Sequence, residues 1–96
     1  MKLNKVFGLG LILSAVLLTG CAGKTYDRSA CSNQIDAAWK ELNFAEAEGF
    51  AGTVSYSKAL ALLTAAKTQQ QFEKFSSCKQ KAKRARFYIA ESRAGR

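Results

Sequence analysis

The chain reads as a small all-α protein, an antiparallel bundle or hairpin of helices. Three observations support this. Its 96 residues suit one domain at most, they include no proline and only seven glycines, and 48% are hydrophobic. That composition fits a compact helical chain better than a disordered or sandwich-like one. Beyond position 31, apolar residues recur at intervals of three and four, the period of one helix face.

Composition also limits the chemistry. Fifteen Lys and Arg stand against seven Asp and Glu, a formal charge of +8, and there is no histidine. A Ser-His-Asp triad, a His-based metal site and a Cys2His2 cluster are therefore excluded, and three cysteines are too few for a four-cysteine zinc site. No metal site and no cofactor is expected, and the chain is read as a non-enzyme.

The first 20 residues are arranged as an export signal. Lys2 and Lys5 form a basic start, Val6 to Leu18 is a 13-residue apolar run, and small residues follow. As a helix that run would cover about 20 Å, short of the roughly 30 Å hydrocarbon core of a bilayer, so it suits a removable signal better than an anchor.

Leu18-Thr19-Gly20-Cys21 comes next. It resembles the lipobox of bacterial lipoproteins, in which Leu, a small residue and Gly or Ala precede a cysteine. The resemblance implies cleavage between Gly20 and Cys21, a diacylglycerol on the Cys21 sulfur and an acyl group such as palmitate on the new amino terminus. A cysteine suits this chemistry because a thiolate is a good nucleophile, and small neighbours let the site enter a protease cleft. Two or three buried acyl chains, at about 0.8 kcal/mol per CH2, make attachment close to permanent. The residue after the modified cysteine influences sorting in Gram-negative envelopes, and Ala22 there points to the periplasmic face of the outer membrane.

Processing would leave residues 21–96 with 13 basic and seven acidic side chains. Residues 22–30 are small, polar and aperiodic, so residues 21–31 read as a lipidated tether and 32–96 as the helical domain. Helix 1 is expected from Ser32, with Ser32 or Asn33 as N-cap, Asp36 in the first turn, and Ile35, Ala38, Trp39, Leu42 and Ala45 facing inward. Gly49 to Thr53 should reverse the chain, leaving Thr53 or Ser55 to cap helix 2. Helix 2 should run from about Ser55 to Gln69 and bury Ala59, Leu62, Leu63 and Ala66. Helix 3 carries Phe75, Cys78, Ala82, Ala85, Ile89 and Ser92 on one face.

The join between helices 2 and 3 has two readings. No Gly or Pro interrupts residues 53–94, which favours one long helix. Against this, Tyr56-Ser57-Lys58 with Ala66-Lys67 reappears 16 residues later as Phe72-Glu73-Lys74 with Ala82-Lys83. The repeat favours two units joined through Thr68 to Gln71, and three helices are preferred on that ground. It is loosely similar to tetratricopeptide-like hairpins and to small helical envelope lipoproteins. It lacks the Gly-Tyr and terminal Pro features of a tetratricopeptide unit, so the similarity implies helix stacking and carries over no binding residues.

With Cys21 lipidated, Cys31 and Cys78 remain, and an even remainder in an exported protein favours a disulfide. An up-down-up course of the helices places both at the same end. Neither a Cys-x-x-Cys pattern nor a histidine is present to activate a thiol.

The last 18 residues hold seven cations against Glu91 alone. This stretch is either a solvated face complementing the helix dipole or an anion-contacting surface carried by Lys79, Lys83, Arg84 and Arg86. For an exported protein the fitting partners are lipid phosphates, lipopolysaccharide, cell-wall carboxylates or an acidic protein face, and nucleic acid is not expected. Of Phe87 and Tyr88, at least one should pack on the core. Glu46 and Glu48 lie on different helix faces and do not look catalytic, and Trp39, Phe44 and Phe50 read as packing residues. The expected role is that of a non-catalytic structural or accessory interaction protein, with an anion-binding module as the alternative.

Overall fold

The computed structural model describes residues 25–96. The export signal, the Leu18-Thr19-Gly20-Cys21 box and Ala22 lie outside the described residues. Three helices follow one another: α1 (Lys2–Ala47), α2 (Val54–Gln71) and α3 (Phe75–Arg93). Short turns join them, so α2 runs antiparallel to both neighbours and α1 and α3 are parallel. Cross-links rise in step along that parallel pair, from Cys31–Cys78 through Glu41–Arg86 to Glu48–Arg93. The chain is a three-helix bundle; the alternative of one long second helix is excluded.

The core is built from heptad-spaced positions. Cys31, Ile35, Ala38, Leu42 and Ala45 on α1 and Phe75, Cys78, Ala82, Ala85, Ile89 and Ser92 on α3 are buried, all at alternating three- and four-residue steps. On α2, Ala59, Leu63 and Ala66 join them. Six of the thirteen buried hydrophobics are alanine. Alanine suits a helix and lets backbones approach closely, but each one removes little apolar surface from water. A small bundle with so light a core needs another source of stability. The Cys31–Cys78 bond supplies it, closing a sequence separation of 47 across a Cα–Cα distance of 5.4 Å. The buried Ser92 hydroxyl is satisfied by donating to the Ile89 carbonyl at 3.0 Å.

The turns explain where the helices stop. After α1, Gly49 has φ 93°; its N–H donates to Glu46 O at 3.0 Å and that of Phe50 to Ala45 O at 2.9 Å. This pair of bonds is a Schellman motif, which needs a left-handed residue and takes glycine readily. Thr53 then caps α2, accepting from the Tyr56 N–H at 3.2 Å and donating to Phe50 O at 2.9 Å.

The end of α2 repeats the motif without a glycine. Glu73 N–H donates to Gln70 O at 3.0 Å and Lys74 N–H to Gln69 O at 2.9 Å, with Glu73 held at φ 59°. A glutamate in this conformation costs about 1 kcal/mol relative to glycine. Glu73→Gly should therefore raise the unfolding free energy by about 0.5–1 kcal/mol, read as a higher urea midpoint at unchanged slope. The exposed Arg28–Glu73 pair, at 3.8 Å, is too weak to reverse that sign, and an unchanged or lower midpoint would contradict the assignment.

Two boundaries differ from expectation. Helix 1 does not begin at Ser32, and neither Ser32 nor Asn33 is an N-cap: both lie inside α1, which is already helical at Thr25. Residues 25–31 are therefore part of the packed bundle rather than tether. Asp27 pairs with Lys79 at 3.2 Å, and the Arg28 guanidinium lies 4.9 Å from the centre of the Phe75 ring. Local composition suggests a tether here because the partners of these polar side chains are about fifty residues away. In α2, Thr68 to Gln71 remain helical and the break falls at Phe72 to Lys74. Leu62 is half-buried against the core rather than within it, and Ser55 is buried instead.

Candidate interaction surface on the third helix

The core register determines where the charges of α3 point. With Ile35 and Leu42 at heptad position a and Cys31, Ala38 and Ala45 at d, the residues at g on α1 are Asp27, Gln34, Glu41 and Glu48. On α3, Phe75, Ala82 and Ile89 take a, which places Lys79, Arg86 and Arg93 at e. In parallel helices g of one faces e of the other. The two rows meet as an ion-pair seam.

Its centre is Arg86. Nη2 donates to Glu41 Oε1 at 2.7 Å, Nε donates to Oε1 and Oε2 at 3.0 and 3.2 Å, and Nη1 donates to Gln34 Oε1 at 2.9 Å. This forked geometry is the strong form of an arginine–carboxylate contact. Its hydrogen bonds to the Glu41 carboxylate raise the Arg86 pKa above its ordinary value, with partial burial opposing and the Glu41 charge adding. Lys79 Nζ reaches Asp27 at 3.2 Å and lies 5.8 Å from the Tyr26 ring centre. Arg93 meets Glu48 at 2.7 Å, and at the C-terminus Arg96 meets Glu91 at 2.9 Å.

The four expected anion-contacting residues therefore separate into two kinds. Lys79 and Arg86 are matched by acids of α1. Lys83 and Arg84 are exposed and carry no partner among the described residues, and Phe87, one turn further on, is 61% exposed. An open cleft of about 520 Å³ runs between α1 and α3 past Gln34, Glu41, Lys83, Arg86 and Phe87. Its carboxylate is already engaged by Arg86, so Lys83 is the cleft's unmatched charge. A ligand drawn to this surface would be anionic.

The seam gives a direct expectation. A double-mutant cycle of Glu41→Gln with Arg86→Met should return a coupling of about 1 kcal/mol that shrinks with added salt, since both side chains are partly exposed. Additivity of the two changes would remove the pair as a source of stability. Lys83→Ala and Arg84→Ala should each leave stability within about 0.5 kcal/mol.

The remaining expected residues fall as follows. Glu48 belongs to the seam, and Glu46 lies near the Tyr56 hydroxyl. Burial, followed by the Glu46 charge and hydrogen bonding toward it, raises the Tyr56 pKa above its ordinary value of 10.0. The unfolded phenol ionises first, so this contribution is complete below pH 10 and is lost as pH rises through the folded value. Chemical denaturation at pH 9 and 11 should show a fall in wild type that Tyr56→Phe reduces. Trp39 and Phe50 pack against the core, as does Tyr88. Phe44 does not: it is 52% exposed, because its position in the heptad faces away from both partner helices.

The seam has a signal in the sequence that composition and charge counting pass over: Asp27, Glu41 and Glu48 repeat at multiples of seven, as do Lys79, Arg86 and Arg93. Among the described residues no three Cys, Asp or Glu side chains are grouped to hold a metal ion, and no helix is long and apolar enough to cross a membrane. No family model, curated protein or solved structure matches the chain.

Proposed function

We propose that this chain is a cell-envelope lipoprotein whose helical bundle serves as a non-catalytic structural or accessory interaction body. The observation that carries the reading is Leu18-Thr19-Gly20-Cys21, placed directly after a basic start and a 13-residue apolar run. Export, cleavage before Cys21 and acylation of its sulfur and new amino group would anchor the protein without a span. Covalent lipid on Cys21 is then its one non-protein group. The pairing of the other two cysteines, Cys31 and Cys78, suits an oxidising compartment. Ala22 favours the periplasmic face of an outer membrane, where an envelope protein or an anionic envelope polymer is the fitting partner.

Intact-mass measurement of the protein from membrane fractions tests this. The expected species begins at Cys21 and carries acyl chains, and Cys21→Ser should abolish both the added mass and membrane retention. An unacylated chain that still begins at Met1 and is recovered from the cytosol would overturn the reading.

The second reading, an anion-binding module for lipopolysaccharide or cell-wall polymer, draws on unpartnered Lys83 and Arg84 beside exposed Phe87. Paired Lys79 and Arg86 would have to leave Asp27 and Glu41 to take part, so the affinity should rest on the other two. Charge reversal at Lys83 and Arg84 should then abolish salt-sensitive binding to envelope fractions; indifference to both would remove this alternative.

A further inference from the structure

The bundle has two unlike ends. At one, the turn from α2 to α3 lies beside the first described turns of α1. Arg28 ties them, 3.8 Å from the Glu73 carboxylate and 4.9 Å from the Phe75 ring centre. This end exposes two aromatic rings, Tyr26 and Phe72, each 70% accessible. Exposed Arg28 and Lys74 accompany them. Phe72 is presented by the reversal itself, since Glu73 at φ 59° ends α2 at that residue.

The position of this end relative to Cys21 follows from chain length. Tyr26 is five residues after Cys21, so whatever the intervening conformation their Cα atoms are at most about 18 Å apart. An acylated Cys21 thus keeps Tyr26, and with it the α2–α3 turn, within about 18 Å of its own attachment to lipid. The opposite end, with the start of α2 at Val54, lies about 27 Å further along an 18-residue helix.

We infer that the Tyr26–Phe72 end is a membrane-seating surface. Resting on the lipoprotein reading above, this specifies that the two rings enter the headgroup and upper acyl region of a phospholipid leaflet while Lys74 engages lipid phosphates and Arg28 exchanges its weak, exposed Glu73 contact for them. The chemistry matches that boundary: aromatic rings favour the interface, and long cationic side chains place an apolar stem beside lipid and a charged head among phosphates. The bundle then stands upright, with its turn at Gly49 and its C-terminus directed away from the membrane and the α3 surface at its side.

The test places a photoreactive benzophenone amino acid at Phe72 in one full-length variant and at Val54, which is 67% exposed, in another. Each acylated protein is reconstituted in phosphatidylethanolamine–phosphatidylglycerol vesicles and irradiated, and lipid adducts are measured by mass spectrometry. Intact mass and helical circular dichroism are recorded first. The expected result is severalfold more phospholipid adduct from position 72 than from position 54. Equal yields, or none from position 72, in a chain whose mass includes acyl groups overturns the seating and leaves the lipoprotein reading intact. A mass without acyl groups overturns both.

Discussion

Removing the Cys31–Cys78 bond is expected to lower the unfolding free energy by about 4 kcal/mol and the melting temperature by about 15–30 °C. The first figure follows from the chain entropy released when a loop with a sequence separation of 47 is opened in the unfolded state. The loss is large relative to the whole, because a domain of this size holds only roughly 4–11 kcal/mol. Thermal and urea melts with and without reductant measure it, and a Cys31→Ala/Cys78→Ala variant provides the second arm. Reduction keeps both sulfur atoms in the core whereas the variant deletes them, so similar losses assign the effect to the cross-link and a larger loss in the variant assigns the excess to packing. A shift below about 5 °C in both would mean that the bundle does not depend on the bond.

The reason for that dependence was partly legible in the sequence. Phe75, Cys78, Ala82, Ala85, Ile89 and Ser92 were recognisable as one face from spacing alone, and all six are buried. Their burial also places Cys78 against α1. The end of α2 was harder to read, because the usual sign of a left-handed stop is glycine and Glu73 occupies that place. The start of the packed region is hidden in the sequence for a different reason. Asp27 and Arg28 have the composition of a tether until Lys79, Glu73 and Phe75 are brought beside them, and only the assembled bundle does that.

The candidate surface shows the same limit. Counting charge along the chain correctly locates a cationic excess in α3, yet Lys79, Arg86 and Arg93 spend their charge on Asp27, Glu41 and Glu48. Helical periodicity describes each helix separately. Which charges remain available depends on the register between helices, and here the heptad grids of α1 and α3 set that register. Lys83 and Arg84 are left outside it because their positions turn toward solvent.

The second large effect should come from the few bulky side chains among the alanines. Leu63 is fully buried at 0% exposure, and Leu63→Ala is expected to cost about 3 kcal/mol through lost transfer energy and an incompletely collapsed cavity. Leu60, one turn away and 39% exposed, should tolerate the same change with a markedly smaller loss. The opposite substitution is also informative. Ala82 is fully buried where close backbones leave little room, so Ala82→Leu should destabilise by about 1–3 kcal/mol despite its added hydrophobicity. Neutral or stabilising behaviour of Ala82→Leu would show that the alanines line free space rather than a close contact. Combined with the loss of the disulfide, Leu63→Ala should remove about 7 kcal/mol if the two changes add. That is comparable to the whole stability of a bundle this small. The reduced Leu63→Ala chain should therefore have lost its helical circular dichroism at 25 °C while the oxidised variant remains folded, and a folded reduced variant would mean that the alanine interfaces contribute more than their apolar area suggests.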